Sequence, residues 1–324
     1  MSEPSPSCII VGAGISGLLA GNILQKQGVR VTILDKSRGV GGRLATRRMD
    51  GARLDHGAQY FTVRDRIFGG WSEAWENSGL IKEWFRRFPE ESSEAGHVRF
   101  CGRAGMTDVP KALASELDVR KQTRVVKIHY KDSHWYVTTE EGDKFDAEYL
   151  LLTAPAPQSL ELVKSSNIVL RRSKLEALEK IQYEKTISVM AILDGPSGLQ
   201  QPGCYKIGEP PLSWIADNQI KGISEVPAVT AHSTHAYASE HWDAYEEAIL
   251  GPLVEALSGH VASKIEKASF HKWRYALPVS PFEAPFFFSR RHALMLAGDA
   301  FGGPRVEGAA LSGIEAAAHL IDFL

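Results

Sequence analysis

The order of apolar and polar positions divides the chain into elements before any motif is considered. Cys8-Ile9-Ile10-Val11 is apolar at every position, the pattern of a parallel strand covered on both faces. Over 15–27, Leu18, Leu19, Ile23 and Leu24 recur near helical spacing, and Gly28 supplies a stop. Residues 29–34 predict a second strand that ends at Asp35. The stretch 64–89, with Trp71, Trp75, Trp84 and Phe85, reads as an amphipathic helical segment packing the core of a second domain. A loop is expected at 90–96 and a short helix at 111–116. Residues 124–128 and 135–139 alternate like strands of a small antiparallel meander, and 145–153 end in a buried strand that stops before Pro155. Farther on, a helix is predicted at 173–180, strands at 186–193, 214–217, 228–232 and 268–277, and a loop at 196–211. A single helix is expected over 241–257, with Trp242, Tyr245, Ile249, Leu250 and Leu253 at helical intervals. A last buried strand at 293–299 leads into a helix over 309–317. Together these elements predict an α/β chain into which an α+β sheet-and-helix region is inserted.

Composition narrows the classes. The 324 residues, 44% of them hydrophobic, suffice for about two folded domains. A formal charge of -2 gives no bulk pull towards nucleic acid or an anionic membrane, so neither is expected as a partner. No apolar run approaches the roughly 20 residues that span a bilayer, and residues 1–7 lack the pattern of a secretory signal. Cys8, Cys101 and Cys204 have no metal-like spacing, so no metal site and no disulfide are expected, and a reducing cytoplasm fits.

The chemistry begins at Gly12-Ala13-Gly14-Ile15-Ser16-Gly17, placed directly between the first strand and the first helix. Its glycines serve a tight turn, the close approach of a pyrophosphate, and helix-on-strand packing, while the helix amino terminus faces the phosphates. Asp35 can take ribose hydroxyls and would repel a 2′-phosphate, which favours FAD or NAD over NADP. The following glycine-arginine loop carries Lys36, Arg38, Gly42 and Arg43, groups suited to phosphate oxygens; Arg47, Arg48 and Arg53 read as a solvated basic loop. At the far end, Gly298-Asp299 closes a strand and precedes Val306, Glu307 and Ala310 at the start of a helix. That second acid-plus-helix site has no role in a single NAD clamp and points to FAD.

The loop ending in Arg43, the segment Asp55-His56-Gly57-Ala58-Gln59-Tyr60-Phe61, the strand His271-Lys272-Trp273-Arg274-Tyr275-Ala276 and the Gly298–Gly313 region resemble the renalase family, its bacterial members in particular, within the flavin-containing amine oxidase superfamily. The resemblance implies a Rossmann-like FAD-binding domain (1–62, 96–157 and 288–324) and an inserted substrate domain (63–95 and 158–287) in p-hydroxybenzoate hydroxylase-like architecture. It implies noncovalent FAD with His56, Gly57, Ala58, Gln59 and Tyr60 beneath the flavin ring and the Val126 backbone at the adenine. The implied activity is oxidation of 2- and 6-dihydro isomers of NAD(P) by O2, in a monomer or weak dimer. Small Gly57 and Ala58 would let a planar ring approach the backbone. Trp214, Trp273 and Tyr275 could wall the nicotinamide, with His232 as a polar pocket residue and Arg274 in a structural ion pair. On a strand, His232 and Thr234 share one face and His235 the other, which is no paired metal site. Arg64, Lys185, Arg290, Arg291 and Arg305 could reach a substrate diphosphate, though most read as solvated surface. One alternative is an amine or polyamine oxidase of the same fold, with Lys185 or Lys272 as its lysine; no cysteine follows Cys204 to link a flavin there. Another is a flavin- or NAD-binding protein without turnover.

Overall fold

The computed structural model describes residues 5–88 and 96–324. The first elements are β1 (Ser7–Val11), α1 (Ile15–Lys26), β2 (Arg30–Leu34), β3 (Thr46–Met49), β4 (Ala52–Asp55), α2 (Arg66–Asn77), β5 (Ile81–Phe85) and β6 (Arg99–Gly102). Then come α3 (Asp108–Ala114), β7 (Asp118–Arg120), β8 (Val125–Lys131), β9 (His134–Thr139), β10 (Lys144–Ala147), β11 (Tyr149–Leu152), α4 (Ala156–Lys164) and α5 (Arg172–Glu179). The rest of the chain forms β12 (Tyr183–Leu193), β13 (Cys204–Lys206), β14 (Leu212–Asp217), β15 (Ala228–Ser233), α6 (His235–Glu240), α7 (Glu246–Ser258), β16 (Ile265–Pro278), β17 (Phe287–Ser289), β18 (Leu294–Leu296), α8 (Asp299–Gly302) and α9 (Val306–Phe323). Contacts divide it into two units, one of Met1–Gly42, Pro110–Gln182 and Pro278–Leu324, the other of Arg43–Val109 and Tyr183–Leu277. Segments 43–62 and 96–109, expected with the FAD-binding domain, thus cluster in the second unit, and 158–182 and 278–287 in the first. The physical reason for the first of these is hydrogen bonding: β4 and its neighbours bond to residues of the second unit's own sheet and turns.

The first unit holds a six-stranded sheet in the order β17-β18-β11-β1-β2-β7. Strands β1, β2, β7, β11 and β18 run parallel, and β17 pairs antiparallel at the edge. β1, β11 and β18 lie near its centre, which is why their sequences are apolar at consecutive positions. Helix α1 meets α9 through small residues: a Cβ on Gly313 would stand 2.2 Å from the Ser16 carbonyl oxygen. A separate meander β10-β9-β8 caps the unit's core with Trp135, whose indole N–H donates to the His292 carbonyl at 2.7 Å.

The second unit is built on a five-stranded sheet, β13-β14-β15-β12-β16. One face, with Ile187, Val189, Ala191, Ile215, Val229 and Ala231, packs under Tyr237 and Ala238 of α6 and Ile249, Leu253 and Leu257 of α7. On the other, Met190, Ile192 and Ala228 pack against Ala52 and Leu54 of the β3–β4 hairpin, while Trp214 and Ala216 pack against Phe85 and Phe88. The period-2 alternation of β12 and β15 sets this division.

Several local expectations change. The aromatic stretch after Arg64 is helical only to Asn77; Gly79, at φ 73°, turns the chain, and Trp84 and Phe85 lie on β5. The expected loop at 90–96 lies, but for Gly96, outside the described residues. Arg47, Arg48 and Arg53 sit on paired strands, not a loop. The loop predicted at 196–211 contains β13, held by pairing to β14. The helix expected over 241–257 begins only at Glu246, because Tyr245, exposed, adopts an extended conformation (φ -70°, ψ 161°) and caps α7, while 241–244 form turns after α6. Pro252 sits inside α7, where it has no N–H for the Ala248 carbonyl; the Tyr237 hydroxyl lies 3.4 Å from that carbonyl and donates to Ile249 at 2.9 Å. Residues 145–153 are two strands, β10 antiparallel in the meander and β11 parallel beside β1.

Candidate functional site

In the first unit the glycines divide their labour as the motif demands. Gly12 turns the chain at φ 114°, its N–H bonded to the Leu34 carbonyl at 2.9 Å. A Cβ on Gly17 would stand 2.1 Å from the Gly12 oxygen, so bare backbone there lets α1 lie on the turn. A Cβ on Gly14 would meet nothing within 4 Å; no packing contact of the protein explains this glycine. It is the N-cap of α1, without a side-chain cap, and the Ser16 hydroxyl is buried without a partner. Orphan N–H groups, an orphan hydroxyl and open space at a helix amino terminus fit a diphosphate. Asp35 is oriented by two backbone donors, Ala13 at 2.7 Å to Oδ2 and Ser37 at 2.7 Å to Oδ1. The second glycine loop docks on the first: Gly41 N–H donates to the Ala13 carbonyl at 2.8 Å, and Gly42 (φ 55°) faces the Gly14 Cα. Arg38 is exposed. Lys36 is exposed as well, and it is held below the ordinary lysine range by partial desolvation and by Arg124, against the pull of Asp35.

At the same carboxyl edge of the sheet, two strands from β1, Gly298 turns after β18 at φ 137° with its N–H donating to Ser312 Oγ at 2.8 Å, and Asp299 opens α8. Asp299 and Glu307 are buried acids in the first turns of α8 and α9, and α9 has no side-chain N-cap. Val306 and Ala310 stand on the first two turns of α9. Val126 is the extra residue of a bulge between Val125 and Lys127, outside the ladder with β9, so its backbone is available as the adenine contact requires. These residues fit FAD: Gly14, Ile15 and Ser16 for the diphosphate, Asp35 for a ribose, and Asp299 with the α9 terminus for the far half.

The second unit centres on the segment after β4. Asp55 and Lys221 are both fully buried and paired at 2.7 Å. Asp55 also accepts from the Thr46 hydroxyl at 2.5 Å and the Met106 N–H at 2.9 Å, while Lys221 donates to the Gln59 carbonyl at 2.6 Å and lies over the Trp84 ring. The pair fixes the path of 55–59. The His56 carbonyl accepts from the Trp273 indole N–H at 2.7 Å and from the Ser188 hydroxyl at 2.5 Å. Its ring stacks on Trp273 (centroids 5.4 Å, 30°) and meets His271 edge-on at 5.2 Å. The Gln59 amide nitrogen donates to the Asp55 carbonyl at 2.6 Å and sits 3.5 Å from His232 Nε2. Three buried polar atoms here have no partner: His56 Nδ1, Gln59 Oε1 and Trp214 Nε1. Trp214 and His232 are cross-strand partners.

The histidines are held neutral. His56 is pushed down to about 3, first by burial and then by His271, Arg47 and His232. His232 is lowered to about 4 by burial and by Lys221, and His271 is lowered by burial and Arg47.

Several of the expected site residues also have structural contacts, and Arg274, Thr234 and His235 differ from expectation. A Cβ on Gly57 would stand 2.0 Å from the Arg43 oxygen, and Ala58 N–H donates to that oxygen at 2.8 Å. The smallness of Gly57 is therefore required by Arg43's backbone. One Arg43 guanidinium nitrogen donates to the Tyr275 carbonyl at 3.0 Å, and the group lies over Tyr183. Tyr60 sits among Trp84, Phe85, Phe88 and Trp214. Arg274 lies over the Trp242 ring, 5.2 Å from its centroid, instead of in an ion pair. Thr234 caps α6 and His235 begins it, so neither lies on β15. Lys221 went unnoticed in the sequence; its signal was Asp55, a motif acid whose burial demands a cation. Among the described residues no group of three His, Cys, Asp or Glu could hold a metal.

The dinucleotide clamp of the first unit and the neutral aromatic cluster of the second are the parts of a flavin-dependent oxidoreductase. Two family models match, an NAD(P)-binding Rossmann-like domain over residues 10–76 and a flavin containing amine oxidoreductase over 64–321. The chain belongs to the flavin containing amine oxidoreductase family and takes FAD as its cofactor. It is 24% identical to mouse (Mus musculus) renalase over 83% of this chain and 84% of that protein, and is renalase-like within the superfamily. Polyamine oxidase 5 of rice (Oryza sativa subsp. japonica) is 25% identical over 55% of this chain and 32% of that one. Two solved folds agree: cyclohexylamine oxidase from Brevibacterium oxydans IH-35A (TM-score 0.77, 13% identity, 99% of both chains) and a putrescine oxidase bound to putrescine (TM-score 0.74, 16% identity, 98% of this chain and 100% of that one). No helix among the described residues is long and apolar enough to cross a membrane.

Proposed function

We propose that the chain oxidises 2- and 6-dihydro isomers of NAD(P), the substrates implied by the renalase resemblance. The balanced reaction takes the dihydronicotinamide, O2 and one proton to NAD(P)+ and H2O2. Bound FAD, held noncovalently, supplies the hydride acceptor and passes the electron pair to O2. The observation that carries this reading is two buried atoms without a partner, Oε1 of Gln59, whose amide nitrogen is 3.5 Å from His232 Nε2, and Nε1 of Trp214, the residue that pairs with His232 across the strands. An acceptor and a donor, both buried and unpartnered, are what a primary carboxamide would satisfy. His56, Trp273 and Tyr275 offer a neutral, aromatic wall suited to an uncharged dihydropyridine. Such a ring is already an electron-rich hydride donor, so these residues need only orient it and exclude water; none needs to act as a base. A protonated amine would instead look for a free carboxylate, and Asp55 is neutralised by Lys221. Lys185 and Lys272, the lysines considered for an amine oxidase, both lie over Trp242.

Anaerobic mixing of the oxidised holoprotein with borohydride-derived NADH isomers, pure NADH and common amines tests the proposal. Rapid flavin bleaching by the isomers alone is expected, with free flavin released when the same sample is denatured. Bleaching by amines alone would refute the substrate assignment, and flavin retained on the unfolded chain would refute noncovalent attachment.

A further inference from the structure

The helix-covered face of the second unit's sheet carries a cluster that the redox site does not use. Lys185 of β12 has the parity of Ile187 and Val189, and Lys272 and Arg274 of β16 alternate away from His271, Trp273 and Tyr275. All three cations converge on one indole: Lys185 Nζ at 5.0 Å, Arg274 Cζ at 5.2 Å and Lys272 Nζ at 5.6 Å from the Trp242 ring centroid. Every pair of them is therefore closer than twice that radius. Trp242 is buried and rigid, and Lys272 is tied down by donating to the Trp242 carbonyl.

None of the three has an acidic partner. Glu184, Glu240 and Asp243 stand nearby in the sequence, yet no carboxylate among the described residues lies within ion-pair distance of Lys185, Lys272 or Arg274. Two exposed cations elsewhere on this unit, Arg86 and Lys267, do have such partners, while Arg66, Arg103 and Lys264 stand apart from one another without them among the described residues. Attraction to the indole offsets part of the mutual repulsion. The remaining positive field invites an anion. A planar guanidinium beside two ammonium groups matches a tetrahedral oxyanion with several acceptors, since the fork binds two oxygens and each lysine one.

We propose that Lys185, Lys272 and Arg274, gathered about Trp242, form a binding site for the phosphate group of a small molecule, on the opposite face of the sheet from His56 and Trp273. The site stands whatever the oxidised substrate is, because it rests on none of the residues of the redox face.

Isothermal titration of the FAD-loaded protein with inorganic phosphate and with pyrophosphate, at an ionic strength held constant with chloride, tests it. Saturable binding at one site is expected, weakened at least tenfold in Lys185→Gln and Arg274→Gln and unchanged in Lys144→Gln on the exposed meander. The flavin absorbance of each variant confirms that it is folded. Absence of saturable binding, or equal affinity in all variants, would overturn the site. Binding to phosphatidylglycerol vesicles without binding to either free anion would overturn the small-molecule assignment.

Discussion

Replacing Lys221 by Met probes the knot that shapes the segment 55–59. The ammonium and the Asp55 carboxylate are wholly inaccessible and 2.7 Å apart, so the substitution strands a buried charge. Breaking a buried pair by removing one partner costs about 3–5 kcal/mol. Two effects limit the loss here. Asp55 keeps the Thr46 hydroxyl and the Met106 N–H, and an orphaned carboxylate can take a proton, which costs an ordinary aspartate about 4 kcal/mol at pH 7. A deficit of about 3–4 kcal/mol at pH 7 is expected. It should shrink by about 1.4 kcal/mol for each pH unit below neutrality, because protonation then becomes easier. Lys221→Met with Asp55→Asn removes both charges and should recover most of the loss. Urea unfolding followed by flavin release and circular dichroism at pH 7 and pH 5 measures all three variants. A Lys221→Met deficit below about 1 kcal/mol, or a double variant no better than the single one, would refute the reasoning.

Gly14→Ala and Gly17→Ala should separate binding from folding. The first adds a Cβ that meets nothing, so it should keep the apoprotein's stability while lowering retained FAD at least tenfold; the second drives a Cβ to 2.1 Å from the Gly12 oxygen and should lower the urea midpoint itself. Acid should also unfold the protein early. His56 and His232 are neutral when folded and protonated when unfolded below the ordinary value of about 6.5. Stability is thus fully present above that value and is lost as pH falls towards 4, by up to about 1.4 kcal/mol per unit for each histidine. His56→Gln should flatten the thermal-midpoint profile between pH 6.5 and 4.5, and an unchanged slope would exclude His56 as its source.

The nucleotide sheet was legible because its signals are local. A strand, three glycines, a helix and an acid lie within one short stretch, and Gly12 and Gly17 take the turn and the helix packing that the spacing predicts. The second unit was harder. Trp84 and Phe85 resemble a continuation of an amphipathic helix until Gly79 is read as its stop, and β13 is too short to show alternation. The partnership of Asp55 with Lys221 spans |i−j|=166, beyond the reach of any local pattern. The unpartnered atoms of His56, Gln59 and Trp214 depend on side-chain packing that no spacing encodes.

The order of strands in the nucleotide sheet has a consequence for biosynthesis. β1 is made first, but the sheet beside β11 is not extended until β18 emerges, and α1 finds its Gly313 contact only when α9 is complete. A nascent chain therefore carries its glycine turn without the partner helix until α9 has been made, so loading of FAD follows the synthesis of α9.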